Sequence, residues 1–219
     1  SPSSISSLKK AWEREFEEWS KREIVQQYAY IWADGVNVKV RLGEDKRLCL
    51  LVIMGVNHAG QKHLLGVQAG SGESESSGAD LLRSLKKRGL TAPVLAIGDG
   101  ALGFWAAIRS VFPETKEQRC WVHKVANVLD KLPQRLQATA KAKLHEIMYS
   151  DTRADAEKAL TDFLESFEDK HPKAVECLRK DWDELTTFFR FPGAHWTHIR
   201  STNPIESTFA TVKLRTRVT

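Results

Sequence analysis

The chain has 219 residues, 42% of them hydrophobic and 28% charged, with 33 Lys and Arg against 28 Asp and Glu for a formal net charge of +5. This composition excludes a disordered chain and suits one large folded domain or two small ones. No apolar run is long enough to span a bilayer and no signal-peptide pattern opens the chain. Three widely spaced cysteines (Cys49, Cys120 and Cys177) argue against a disulfide framework and for a reducing compartment.

The opening run from Ser1 to Ser7 reads as a flexible end. A helix is predicted from Leu8 to about Glu23, where Trp12, Phe16 and Trp19 repeat at helical spacing. From Tyr28 to Val40 the period changes to two, with Val36, Val38 and Val40 on one face of a strand. A turn at Gly43 to Lys46 leads into Leu48 to Val56, a nearly continuous apolar run expected to be a strand buried on both faces. Asn57 to Gly60 turns the chain again into a short third strand, His63 to Gln68, completing an antiparallel meander. After Gly70-Ser71-Gly72, an amphipathic helix is predicted from Glu73 to Arg88, closed by Gly89. Pro93 to Ile97 forms a fourth strand ending in Gly98-Asp99-Gly100. A helix around Phe104 to Val111 and an extended piece from Thr115 to Arg119 follow. From Cys120 to about Phe189 only helical patterns remain, and Asn203 to Arg217 is a last helix.

This order of elements constrains the acidic residues. The helix between the third and fourth strands forms a crossover, which is right-handed and usually sets the new strand beside an earlier parallel one. Pairing of the fourth strand with the first brings Asp99 close to Asp34, at a sheet edge where ligand sites of open sheets lie. Gly35, Gly98 and Gly100 give the backbone room for a bulge or a closely approaching ligand. Two carboxylates at one strand end repel unless a cation sits between them. Each aspartate alone is also compatible with a turn or capping role. Glu206 has an equally plain structural reading. In Thr202-Asn203-Pro204-Ile205-Glu206, Asn203 is a good N-cap, Pro204 suits the first helical position, and Glu206 falls where a capping box places its acid.

Five segments, in order, resemble the mutator-type transposases of bacterial insertion sequences. They are Tyr28 to Val36 around Asp34, Gly72 to Ser76 with the helix after it, and Ile97-Gly98-Asp99-Gly100-Ala101. The fourth is Gln118-Arg119-Cys120-Trp121-Val122-His123-Lys124, and the fifth Ser201 to Ser207 around Glu206. The resemblance implies an α/β fold of the ribonuclease H-like kind, a mixed sheet of a three-strand antiparallel meander plus parallel strands, with an all-helical insertion. Residues 1–24 are then an N-terminal helix and linker, 25–119 the first part of the core, 120–200 the insertion, and 201–219 a C-terminal helix returning to the core. It also implies that Asp34, Asp99 and Glu206 are the catalytic, metal-binding acids of a DDE-type enzyme. Two magnesium ions, for which manganese can substitute, suit such oxygen donors and an in-line displacement at phosphorus. The expected activity is DNA strand cleavage followed by attack of the freed 3′-hydroxyl on target DNA. The implied partners are element ends and target DNA, bridged by a homodimer, in the bacterial cytoplasm in association with the nucleoid and with no membrane involvement.

Cys120 and His123 begin the helical part as a C-x-x-H pair. As a zinc site it is incomplete: two more ligands are needed, with His195 and His198 the candidates to supply them, and an accessory packing or hydrogen-bonding role is expected instead. Trp121 is expected in the core. His195, Trp196, His198 and Arg200 combine aromatic and cationic groups ahead of Glu206 and are candidates for DNA contact, as are Lys213, Arg215 and Arg217 in the last helix. Arg119, Lys124, Lys131, Arg135, Lys141 and Lys143 add basic character, although such residues on helices are usually solvated. The main alternative is a truncated or domesticated transposase fragment that binds DNA or a partner without catalysis. Residues ahead of 25 are too few and too acidic for a helix-turn-helix unit. A phosphatase-like hydrolase using Asp99 would need an acid-base partner that no motif supplies.

Overall fold

A computed structural model of the chain describes residues 2–40, 46–69, 75–100 and 102–216. The turn expected at residues 43–45, the glycine-rich link at 70–72 and Arg217 lie outside the described residues. The chain forms a mixed α/β structure around one five-stranded sheet.

The alternating valines and aromatics of the first strand segment form β1 (Tyr28–Val40). It pairs antiparallel with β2 (Lys46–Asn57), which in turn pairs antiparallel with β3 (Lys62–Ala69). Helix α2 (Glu75–Lys87) then carries the chain over the sheet to β4 (Leu95–Gly98), which lies parallel to β1 on the side away from β2. The crossover expected from the sequence is therefore present. Helix α3 (Leu102–Val111) leads to β5 (Lys116–Arg119), parallel to β4, and the sheet order is β3-β2-β1-β4-β5. The chain leaves α2 through Gly89, which has a φ of +111° and where a β-carbon would fall 2.6 Å from the Ile24 carbonyl oxygen.

Beyond β5 the chain is helical: α4 (Trp121–Leu129), α5 (Gln134–Met148), α6 (Arg153–Phe167), α7 (Pro172–Arg179), α8 (Trp182–Leu185), α9 (Trp196–Ile199) and α10 (Asn203–Thr216). The period of two along the strands divides the apolar side chains between two layers. Ile31, Ala33, Leu51, Ile53 and Ala96 face α2 and α3, packing against Leu82, Leu85, Phe104 and Ile108. Trp32, Val36, Val52, Met54, Leu95 and Ile97 face the later helices, packing with Trp121, Val128, Phe188, Ile205 and Phe209. Strands covered on both faces explain why Leu51 to Met54 read as an uninterrupted apolar run.

Two expectations are corrected. The N-terminal serine-rich run is not a flexible end: α1 spans Pro2–Lys21. A proline with its φ preset for a helix suits the first turn, where its missing N–H costs nothing. The capping box at Glu206 is not formed. The Thr202 carbonyl accepts from Ile205 N at 2.9 Å and from Glu206 N at 3.3 Å, so the helical turn begins one residue earlier. Glu206 thereby falls one place past the capping-box position, and its carboxylate is not committed to the helix's own backbone.

Candidate active site

Asp34 shares the sheet face of Trp32 and Val36, so its carboxylate points toward the later helices. The parallel pairing of β1 with β4 ends at Ala33 opposite Gly98. The next residue on each strand's path is an aspartate, and Asp34 and Asp99 therefore stand side by side at the carboxyl end of β4. Helix α10 packs across β1 and brings Glu206 to the same place, while α4 brings His123. Ligand atoms of Asp34, His123 and Glu206 all lie within 4.8 Å of one another, the one such group among the described residues. Asp99 is outside that tight set but close enough for its charge to act on both Asp34 and His123.

The electrostatics follow from this crowding. Asp34 is 8% exposed, and burial pushes its carboxyl up from 3.8 to about 6. His123 and the Gly35 N–H, which donates to Asp34 Oδ1 at 2.9 Å, pull it down, while Asp99 and Glu206 push it further up. His123 is pushed up to about 9, first by its hydrogen bond to Cys120 and then, against the effect of burial, by the charges of Cys120, Asp34 and Asp99. Burial alone would raise the Cys120 thiol, but bonds and charge from His123, with a bond from Thr202, bring it below the usual thiol range. Cys120, His123 and Thr202 form one cluster, with Cys120 and Thr202 buried and His123 half-buried. Thr202 N donates to Cys120 Sγ at 3.3 Å, and Thr202 Oγ1 lies 3.5 Å from both Cys120 Sγ and His123 Nδ1. The C-x-x-H pair is thus a hydrogen-bonded bridge between α4 and the start of α10, and it presents His123 to the acids.

The backbone fixes this bridge from both sides. Cys120 N donates to the Gly98 carbonyl at 2.7 Å and Trp121 N to the Arg200 carbonyl at 2.9 Å. Gln118 is fully buried: its amide donates to the Leu185 carbonyl at 3.1 Å and accepts from Phe188 N at 2.7 Å. Trp121 is in the core, its indole donating to Leu185 O at 2.8 Å. Lys124, fully buried, and Arg119, partly buried, are ion-pair residues and not a DNA-facing surface. Both converge on Asp181, Arg119 Nε at 3.3 Å from its carboxylate, and Lys124 also donates to the Cys177 carbonyl at 2.7 Å. Asp181 holds the site together without any motif of its own, an acid inside otherwise ordinary helix-forming text, whereas Thr202 lies within the segment around Glu206 although its link to Cys120 had no signal.

The remaining candidates divide by exposure. Arg200 is buried, donates to the Met148 carbonyl at 2.7 Å and lies 4.4 Å over the Tyr149 ring. Trp196 packs edge-on against Phe188 and Phe189 and donates to Phe191 O at 2.8 Å. Both side chains are therefore engaged within the fold. His195, whose Nδ1 lies 2.7 Å from the Tyr30 hydroxyl, and His198 remain exposed, as do Lys131, Arg135 and Lys141. The side chains of Lys213 and Arg215 lie outside the described residues. No helix among the described residues is long and apolar enough to cross a membrane.

The chain matches the family described as "Transposase, Mutator family" over residues 1–219. It belongs to the Mutator family of transposases. Among its relatives is the transposase for insertion sequence element IS6120 of Mycolicibacterium smegmatis, 51% identical across the whole chain and 68% of that protein. The transposase for IST2 of Acidithiobacillus ferrooxidans is 49% identical over 99% of the chain and 73% of its own length. The transposase for IS905 of Lactococcus lactis is 30% identical over 99% of the chain and 55% of its own length. For a Mutator-family chain, the meeting of Asp34, His123 and Glu206 from three separate elements, with Asp99 close enough to Asp34 for its charge to act, is the feature of chemical interest.

Proposed function

We propose that this chain is the catalytic part of a DDE-type DNA transposase, cutting DNA in a metal-dependent step and joining the freed 3′-hydroxyl to target DNA. Asp34, Asp99 and Glu206 are the metal-binding acids. The observation that carries the reading is the convergence of Asp34 and Glu206, 172 residues apart in sequence, to within 4.8 Å around a partly buried centre. The order β3-β2-β1-β4-β5, antiparallel only through β2, supports assignment to a ribonuclease H-like core, with α4 to α9 as the helical insertion.

The donor set fits a hard divalent cation. Three carboxylates offer oxygen donors, and burying Asp34 among other acids is costly unless a positive charge sits among them. Magnesium, with manganese as a substitute, would be held by Asp34, Asp99 and Glu206; a pair of such ions stabilises the attacking and leaving oxygens of an in-line displacement. His123, protonated through its bond to Cys120 and the charge of the acids, acts as a cationic hydrogen-bond donor beside them and not as a ligand. It is placed to orient a phosphate oxygen. The exposed His195 and His198, Lys131 between α4 and α5, Arg135 and Lys141 of α5, and Lys213 and Arg215 of α10 are proposed as DNA contacts. A pair of chains bridging two element ends, acting in the bacterial nucleoid, completes the proposal.

The test is magnesium- or manganese-dependent nicking of a supercoiled plasmid, with the unaltered chain beside Asp99→Asn. Nicking that requires metal and is lost in the variant supports the reading. A folded, unaltered chain that binds DNA without nicking it overturns the catalytic part and leaves the binding-only alternative.

A further inference from the structure

Helix α1 carries apolar surface that the fold does not use. Ile5 is 71% exposed, Leu8 51%, Trp12 64% and Phe16 51%, values that for large apolar side chains mark a surface left for another partner. At about 100° per residue these four and Trp19 fall within about 40° of Trp12, a narrow seam of the width used in paired helices. The helix is fastened at its C-terminal end only, among the described residues. There the Arg88 guanidinium lies 5.9 Å over the Trp19 ring and donates to the Arg22 carbonyl at 2.8 Å, and Ile24 N donates to the Arg88 carbonyl at 2.7 Å. Residues 12–18 are all exposed.

The stripe has a symmetry that identifies its occupant. Leu8 and Phe16 each stand four residues from Trp12, and Ile5 and Trp19 each stand seven. An antiparallel two-fold pair centred on Trp12 therefore sets Trp12 on Trp12, Leu8 on Phe16 and Ile5 on Trp19, with every seam residue covered. In such a pair each flank of the seam faces the same flank of the other copy. On one flank Lys9 of one helix then meets Glu13 of the other, offset by about 3 Å along the axis, and the contact occurs twice. On the other flank Glu15 meets Ala11. A parallel pair would instead set Phe16 beside Glu15 and leave Lys9, which lies 3.5 Å from Glu13 of its own helix, without an acid on the other helix. The helix has four basic residues (Lys9, Lys10, Arg14 and Lys21) and four acidic ones (Glu13, Glu15, Glu17 and Glu18), a balance that does not favour nucleic acid or an anionic lipid surface.

We propose that α1 is a self-association helix, pairing antiparallel around Trp12 with α1 of a second copy of this chain. The pairing needs neither DNA nor metal, so it stands or falls separately from the catalytic proposal. The test uses the whole chain, free of both. Trp12→Cys should cross-link to itself on mild oxidation, with the unaltered chain as the control for its own cysteines. Ile5→Cys alone should not, because two such positions lie about 21 Å apart in the antiparallel pair, whereas Ile5→Cys mixed with Trp19→Cys should. Sedimentation should show a dimer weakened about tenfold or more by Phe16→Glu, a change at an exposed position that leaves the fold intact. A chain that stays monomeric, a dimer indifferent to Phe16→Glu, or self-cross-linking through Ile5→Cys would each overturn the proposal.

Discussion

The guanidinium of Arg119 occupies the space in which a side chain at position 100 would begin: a β-carbon on Gly100 would fall 0.9 Å from Arg119 Nη1. Gly100 also has a φ of +88°, which other residues adopt at a cost. Gly100 follows Asp99 directly, so the close approach ties the backbone at one proposed metal ligand to the Arg119–Asp181 pair. Gly100→Ala must either displace Arg119 from Asp181 or move the Asp99 backbone. The expected outcome is a loss of about 2 kcal/mol or more in stability, together with weaker manganese binding. Chemical denaturation and metal titration check this, and a variant with unchanged stability and metal affinity would refute it.

The Lys124–Asp181 pair makes a second prediction. Lys124 is fully buried, and burial holds its ammonium below the usual lysine range although Asp181 works against that. Removing the acid strands a buried cation, so Asp181→Ala should destabilise by about 3 kcal/mol or more. Adding Lys124→Met in the same chain should recover part of the loss, with Arg119 still lacking its partner. Equal stability of the single and double variants in urea unfolding would show that the lysine is not held by this acid.

Much of this arrangement is legible in the sequence. The period of two in β1, the apolar run of β2 and the glycine-flanked Asp99 sufficed to predict the meander, the crossover and the meeting of Asp34 with Asp99, because local periodicity reports backbone state directly. Arg119 and Lys124 were harder. A basic residue at a strand end or on a helix reads as solvated unless its acid is known, and Asp181 lies more than fifty residues downstream of both. The link from Cys120 and His123 to Thr202 was hidden for the same reason: a hydroxyl 82 residues away from Cys120 leaves no trace in local pattern. The capping reading of Glu206, set beside its reading as a metal-binding acid, fails because local pattern fixes a helix start only to within a residue or so, and one residue decides where a carboxylate points.

Cys120 should control the proton on His123. Its hydrogen bond is the largest influence raising His123 to about 9, ahead of the carboxylates. Cys120→Ala should therefore lower the His123 pKa, and an NMR titration of the imidazole would read the change. Sign matters here: a raised folded value adds stability below the ordinary 6.5 and loses it as pH rises through about 9. The unaltered chain should accordingly lose stability over that interval, and Cys120→Ala should lose less. An imidazole titration identical in both chains would show that Cys120 only fills space.

Asp34 makes the prediction that separates a metal site from a structural carboxylate. Its folded value of about 6, against an ordinary 3.8, means that the folded state holds its proton more tightly than the unfolded one. The stability associated with that proton is present below 3.8 and lost as pH rises through about 6, so at neutral pH the ionised acid carries a penalty of up to about 3 kcal/mol. Asp34→Asn removes the charge while keeping the size, and should melt higher than the unaltered chain at pH 8 without metal, offset in part by what His123 loses. Magnesium or manganese should reverse the order, stabilising the unaltered chain through binding to the folded state and leaving the variant unmoved. Nicking should be lost in the same variant, so that the more stable metal-free chain is the inactive one. If Asp34→Asn melts lower without metal, or if both chains respond equally to metal, the carboxylate is not the strained ligand inferred here.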